Sequence, residues 1–214
     1  MAKLNKNLII GAIIALFIVG GVGIFLLTNN GSNDPSSNSS DSSSPAFTPL
    51  ATAGSSFEAN YIFTSADGAV VTGLMQVDKN GDSKYSSETD GKAYVLYNID
   101  GYTISCNDGT CYKLPSGQSS EAPDSKDYEY TDDNYKDFQN NATYKGKADC
   151  PAGTCSVWEI ANEDSTSTTM YIDGDNRISK VVGDSEDGKY EMTYTYKEVT
   201  ISAPENVTEL PSWS

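Results

Sequence analysis

From Leu8 to Leu27 the chain carries twenty consecutive residues drawn only from Leu, Ile, Val, Phe, Ala and Gly. A helix of that length reaches ~30 Å, the thickness of a bilayer's hydrocarbon core. A helix buried in a soluble domain is rarely apolar on every face, and this one would be. The run predicts a membrane-spanning helix over residues 8–28, and no other stretch limits the architecture so severely. Lys3 and Lys6 precede it without any acidic residue, so residues 1–7 are expected in the cytoplasm and the rest outside. A cleaved signal peptide would have a shorter apolar core followed closely by a small-x-small site. Here Thr28-Asn29-Asn30 follows, and the Ala51-Thr52-Ala53 triplet lies too deep in the chain. With no cysteine at the membrane exit to carry a lipid, an uncleaved signal anchor fits better. Gly11 and Ala15 form one small-xxx-small pair, a weak signal for helix dimerisation.

The charge of the remainder excludes some partners. Two of the 14 basic residues lie inside, leaving 12 outside against 30 acidic ones, a formal charge of −18. Such a field repels nucleic acid and anionic headgroups and keeps an exposed domain soluble. The chain has no histidine, which removes most acid–base, nucleophile-activating and zinc chemistry. Residues 29–54 are dominated by Ser, Asn, Pro and Gly, a composition that cannot bury a core. They read as a disordered tether. Asn30, Asn38, Asn141 and Asn206 each begin an Asn-x-Ser/Thr triplet, which matters only in a host that glycosylates.

Residues 55–214 suffice for one domain with one core. Phe57, Ala59, Tyr61 and Phe63 alternate with Glu58, Asn60, Ile62 and Thr64, the period of a half-buried strand. Asp67-Gly68, Asn80-Gly81, Asp90-Gly91, Asp100-Gly101 and Asp108-Gly109 punctuate the chain beyond it. They separate segments such as Ala69–Val77, Lys92–Ile99, Tyr102–Cys106 and Cys111–Leu114. Asx-Gly turns at this spacing indicate an antiparallel meander rather than βαβ units. Between Pro115 and Ala142 the alternation breaks, and Thr131-Asp132-Asp133 is placed to cap a short helix through Phe138. Strands resume over Ala142–Lys147, Ser156–Ala161, Ser167–Asp173 and Arg177–Val182. In the last strand Tyr190, Met192, Tyr194 and Tyr196 share a face, whereas Val199 and Ile201 fall in the opposite register. One regular strand cannot hold both sets, so a bulge or bend is expected near Lys197-Glu198, with Pro204 ending the ladder.

Cys106, Cys111, Cys150 and Cys155 form two pairs of identical spacing, each ending Gly-Thr-Cys. An even count outside the cytoplasm argues for disulfides. Of three connectivities, 106–111 with 150–155 is favoured because each pair flanks a turn between facing strand positions. A four-cysteine zinc site is the alternative, at the loose end of the usual ligand spacing. No Ser/His/Asp or Cys/His set can be assembled, no Ser-x-x-Lys pattern occurs, and no phosphate loop is present. Asp78-x-Asn80-x-Asp82 begins like an EF-hand loop, but its sixth position is Ser83 and its twelfth Thr89. Asp173, Asp175 and Asn176 suit a turn better than a calcium ion. No metal and no cofactor is expected.

The C-terminal half then resembles a known family. Met170–Val182 reads strand, Asp-Gly turn, strand, and Met192–Tyr196, Val199–Ile201 and Ala203-Pro204 close the domain. Tyr97–Ile104 fits the middle hairpin of the same plan. The order is similar to that of the LolA-like lipoprotein carriers and the related LppX/LprG-type lipid-carrying lipoproteins. This resemblance implies a mainly β fold, a curved antiparallel sheet or half-barrel, partly closed by a short helix-and-loop insert over an apolar cavity. The chain departs from the pattern in two ways: a membrane anchor replaces the lipidated cysteine, and the insert is short and polar. A concave ligand face would comprise Phe57, Tyr61, Phe63, Val71, Met75, Val95, Tyr97, Met192, Tyr194 and Tyr196. The competing expectation is that these residues simply fill a core, as apolar side chains in small barrels usually do. The sequence thus suggests a non-enzymatic, membrane-anchored domain that binds a lipid or another apolar ligand. The rival is a solid-cored surface or sensory ectodomain that meets a protein partner.

Overall fold

The computed structural model describes residues 45–89, 92–114, 125–161, 166–185 and 188–209; the apolar run and residues 29–44 of the tether lie outside them. Among the described residues no helix is long and apolar enough to cross a membrane. Twelve strands form one sheet: β1 Phe57–Ser65, β2 Val70–Val77, β3 Ser83–Thr89, β4 Lys92–Ile99, β5 Tyr102–Asn107, β6 Thr110–Lys113, β7 Ala142–Cys150, β8 Gly153–Ala161, β9 Ser167–Ile172, β10 Ile178–Ser185, β11 Gly188–Tyr196 and β12 Val207–Glu209. Their spatial order is β12-β6-β5-β4-β3-β2-β1-β11-β10-β9-β8-β7. All pairings are antiparallel except β12 on β6. The fold is mainly β, an open curved antiparallel sheet, as the strand periods imply.

Two meanders, β1–β6 and β7–β11, meet where β1 pairs with β11 from Phe57↔Tyr196 to Ser65↔Gly188. The tight turns within the described residues follow the expected chemistry, while Asp90-Gly91 lies outside those residues. Asp100-Gly101 and Asp108-Gly109 both have positive φ at both residues, the mirror-image turn that matches strand twist. Strand β6 lies near one end of the sheet and β7 at the other, roughly ten strand spacings of ~4.8 Å apart. The link between them therefore has to cross a face of the sheet. It carries a 3-10 turn, Ser125–Tyr128, and helix α1, Asp132–Gln139. The helix starts where the sequence places it. Thr131 Oγ1 accepts from Asn134 N, and Asn134 Oδ1 accepts from Thr131 N, a reciprocal cap that satisfies two end amides.

The core lies between this link and one face of the sheet. Phe57, Ala59, Tyr61, Phe63, Met75, Val77, Tyr85, Leu96, Met170, Val181, Met192 and Tyr194 point into it and are buried. From the other side come Tyr128, Tyr130 and Tyr135. Tyr194 Oη donates to Tyr128 O at 3.1 Å, the Tyr61 ring meets Tyr128 edge-on at 6.4 Å, and Tyr130 stacks on Tyr135 at 6.0 Å. A smaller cluster of Ile104, Cys106 and Cys111, with Val95, Tyr97, Tyr102 and Val207, forms on the opposite face.

Three expectations change. Residues 45–54 are not tether: Phe47 and Thr52 are buried, and Thr52 N donates to Tyr130 O while Tyr130 N donates to Thr52 Oγ1. Phe47 is the apolar anchor in this stretch, and a reading by composition averages it away. There is no bulge at Lys197-Glu198, because β11 simply ends at Tyr196. Residues 197–206 then leave the ladder, with Val199 N donating to Ser56 Oγ. Pro204 does not end the ladder either, since β12 comes after it and adds to β6 in parallel. The bulges fall instead at Ile178/Lys180 and Tyr144/Gly146.

Gly188 sits at the first rung of the β1–β11 ladder with φ +151°, and a Cβ there would lie 2.1 Å from Thr64 O. Backbone cannot step aside as a side-chain tip can, so Gly188→Ala should cost about 2–4 kcal/mol, read as a lower urea midpoint at constant m-value. The core also predicts alkaline behaviour. Burial foremost raises the phenols of Tyr61, Tyr85, Tyr94, Tyr130, Tyr135, Tyr194 and Tyr196 above their ordinary 10.0. A raised folded-state pKa contributes stability that is complete below the unfolded value and lost as pH climbs beyond it. These seven should stay silent in a phenolate absorbance titration at pH about 10. They should then ionise together as far-UV circular dichroism reports unfolding. Ionisation near that pH with the sheet intact would contradict so closely packed a core.

Candidate functional site

Cross-strand register decides which candidate residues share a face. Tyr61↔Met192 and Phe63↔Val71 are directly opposed, as are Ala59↔Met75 and Ala59↔Tyr194, and Phe57↔Tyr196 closes the row. Paired positions project to the same side, so Phe57, Tyr61, Phe63, Val71, Met75, Met192, Tyr194 and Tyr196 do form one concave set. Val95 and Tyr97 do not join it. In β4 it is Leu96 that opposes Tyr85, which places Val95 and Tyr97 on the other face beside Ile104 and the Cys106–Cys111 disulfide. Tyr94, Val95, Leu96 and Tyr97 are apolar on both faces, so period alone could not choose between the registers.

The concave set is covered rather than open. Phe57, Met75 and Met192 are 0% exposed and Tyr194 is 4% exposed. Tyr128, Tyr130 and Tyr135 fill the space above them, held by the Tyr194–Tyr128 hydrogen bond and by their ring contacts. The floor is also levelled by tyrosines: Tyr85 lies against Gly73 and Tyr190 against Gly183, each so close that a Cβ on the glycine would clash with the ring. Glycine is required at both places because the rings occupy the room a side chain would use.

Open space survives where this cover runs out, at the β7 end of the sheet. A groove of about 560 Å³ is lined by Pro45, Ala46, Phe47, Thr48, Gln139, Ala142, Thr143, Tyr144 and Trp158. Three elements build it. Strands β7 and β8 present Tyr144 opposite Trp158 as a registered pair, with ring centroids 5.2 Å apart and planes at 55°. Phe47 approaches Trp158 from the other side at 5.2 Å and 69°. The last residue of α1 fixes the rim, with Gln139 Nε2 donating to Phe47 O at 3.4 Å. Among the described residues its lining holds no carboxylate, amine or thiol, and its polar groups are the hydroxyls of Thr48, Thr143 and Tyr144 and the amide of Gln139.

None of these lining residues belongs to the ten-residue concave set. Phe47 is hidden in apparent tether, and Tyr144 lies in a strand whose burial alternates only weakly. Trp158 is the one available signal, a large aromatic inside Ser156–Ala161.

The four cysteines form two disulfides, Cys106–Cys111 and Cys150–Cys155, so the favoured connectivity holds and no thiol remains for zinc. The two bridges differ in placement. Cys106 and Cys111 are directly paired, whereas Cys155 pairs with Ala148 and Cys150 with Gly153, making the second bridge diagonal. Asp173 is committed to its turn: its Oδ1 accepts from Asp175 N and Arg177 N, both at 2.9 Å. Among the described residues no group of three acidic or cysteine side chains is arranged to hold a metal.

No protein-family model matches the chain, and no curated protein matches its sequence. Solved structures do. An uncharacterised conserved protein from Thermus thermophilus is 8% identical, covering 74% of this chain and 91% of its own, with a TM-score of 0.41. LprF from Mycobacterium bovis is 11% identical over 71% of this chain and 90% of its own, with a TM-score of 0.42. A LolA superfamily protein from Nitrosomonas europaea is 12% identical over 70% and 89%, with a TM-score of 0.28.

Proposed function

We propose that this chain is a membrane-anchored extracytoplasmic binding domain, not an enzyme, that takes a lipid or another apolar ligand in the groove of Phe47, Tyr144 and Trp158. The groove carries the proposal. Its volume lies within the range of ligand sites, and its lining mixes the edges of Phe47, Tyr144 and Trp158 with the polar groups of Thr48, Gln139 and Thr143 in roughly equal measure. The anchor is supported by the twenty-residue apolar run with Lys3 and Lys6 before it, and the oxidising side of the membrane by the paired cysteines. Pro45 and Ala46 line the groove, so the tether joins the folded domain at the site itself. The binding site is then held near the bilayer, within the reach of the residues between 28 and 45. Each methylene buried would contribute ~0.8 kcal/mol.

The second reading, a solid-cored ectodomain that meets a protein partner, is favoured by one observation: the concave floor is filled by the domain's own tyrosines. The two readings part on one measurement, native mass spectrometry of the full chain released from maltoside micelles. Ligand binding predicts a co-purifying mass in the lipid range that organic extraction removes. Tyr144→Arg should lower its occupancy about tenfold, because a charge would replace an aromatic surface against which the ligand packs. A clean mass, unchanged after incubation with lipid extract, would count against the groove and favour the protein partner.

A further inference from the structure

Four Asn-x-Ser/Thr triplets occur in the chain, and the two that fall among the described residues are placed alike. Asn141 immediately precedes β7, and Asn206 immediately precedes β12. These are the two outermost strands of the sheet, so a triplet stands at the head of each edge. Both asparagines are exposed, as are Thr143 and Thr208 two residues on. Other asparagines hold structure together: Asn98 Oδ1 accepts from Thr103 Oγ1 at 2.9 Å, and Asn134 caps α1. Among the described residues, no hydrogen bond engages the side-chain amide of Asn141 or Asn206. Each therefore presents an open amide beside the hydroxyl residue that completes an acceptor site. The place matters as much as the motif. An outer strand leaves a row of N–H and C=O groups unpaired, a template on which a second sheet can add. A bulky, hydrated saccharide at that position keeps another backbone away from it.

We propose that Asn141 and Asn206 are N-glycosylated and that the two glycans shield the edges of the sheet. The donor is an oligosaccharide carried on a polyprenyl pyrophosphate. The bond from its C1 to the pyrophosphate oxygen breaks, the asparagine Nδ2–C1 bond forms, and Nδ2 gives up one proton to the transferase. The lipid pyrophosphate is the leaving group. The inference is independent of what the groove binds. It rests on the domain lying outside the membrane, a location that the paired cysteines support.

The test takes the full chain, purified in maltoside from the membranes of the cells that make it, and digests it with trypsin. Cleavage after Lys136, Lys145 and Lys197 isolates residues 137–145 and 198–214, each with one triplet. Most copies of both peptides should carry added saccharide mass. Asn141→Gln should remove it from the first, while Thr143, which lines the groove, is left unchanged. Asn206 has φ +62°, a conformation that asparagine tolerates better than most residues. The second acceptor is therefore removed by Thr208→Ala, and Thr208→Ser should keep the glycan. The chain with Asn141→Gln and Thr208→Ala, shown to be folded by far-UV circular dichroism, should grow in sedimentation coefficient with concentration where the unaltered chain does not. Bare peptides from a chain with both disulfides formed would overturn the glycans. Bare peptides together with free thiols would overturn the extracytoplasmic location as well. Occupied sites whose removal leaves the chain monodisperse would overturn the shielding.

Discussion

The nine registered pairs of β1 with β11, Phe57↔Tyr196 to Ser65↔Gly188, are the contact on which the rest of the domain depends. Each half of the chain makes its own meander from local turns. Only this ladder, between residues more than a hundred positions apart, fuses them into one sheet. Once it forms, β6 and β7 stand far apart although they are successive in the chain, and the residues joining them must traverse the concave face. Tyr128, Tyr130 and Tyr135 are consequently delivered onto the floor made by Tyr61, Met75, Met192 and Tyr194. The core is a product of topology as much as of composition.

A sheet this wide must also manage its ends, where unpaired backbone invites other chains. Each disulfide lies in a terminal hairpin, β5–β6 or β7–β8. Closing so short a loop removes little chain entropy, about 2 kcal/mol in the loop model, so their effect is mainly local, keeping the end hairpins from fraying. At one end residues 197–206 carry the chain from β11 past β1–β6 to place β12 on β6. That journey is about seven strand spacings, or ~34 Å, close to the ~36–40 Å that the eleven steps from Tyr196 to Val207 can reach when extended. At the other end β7 is guarded by the bulge at Gly146, with Lys145 and Lys147 on either side.

The candidate site lies where these two arrangements meet. The covering link ends with α1 just before β7 begins, and the segment at Phe47 enters the domain beside it. Phe47 and Tyr144 pack on Trp158 and leave it almost wholly buried, with open space beside the cluster. A groove appears there because the cover is exhausted, and its aromatic residues come from one hairpin, Tyr144 opposite Trp158, and from Phe47 far earlier in the chain. No compact motif spans the three, because only hairpin register relates Tyr144 to Trp158 and no local spacing relates either to Phe47.

By itself the sequence determined the features that depend on near neighbours. The Asx-Gly turns, the alternating strands, the Thr131 cap and the pairing of cysteines across short turns are each settled within a few residues, where sterics and local hydrogen bonds act without help. The features beyond its reach depend on which distant surface a residue meets. Val95 and Tyr97 alternate as plausibly as Leu96, and only the register of β4 on β3 sends them to the other face. Phe47 sits among Ser and Pro, and it becomes core because Trp158 and Tyr135 are there to receive it. Val199 and Ile201 imply a bulge or bend near Lys197-Glu198, and in the fold the ladder ends at Tyr196 and the chain departs without a bulge. The tertiary structure alone decided which apolar face is filled and which corner stays open, because burial is a property of the assembled surfaces and not of any one stretch of chain.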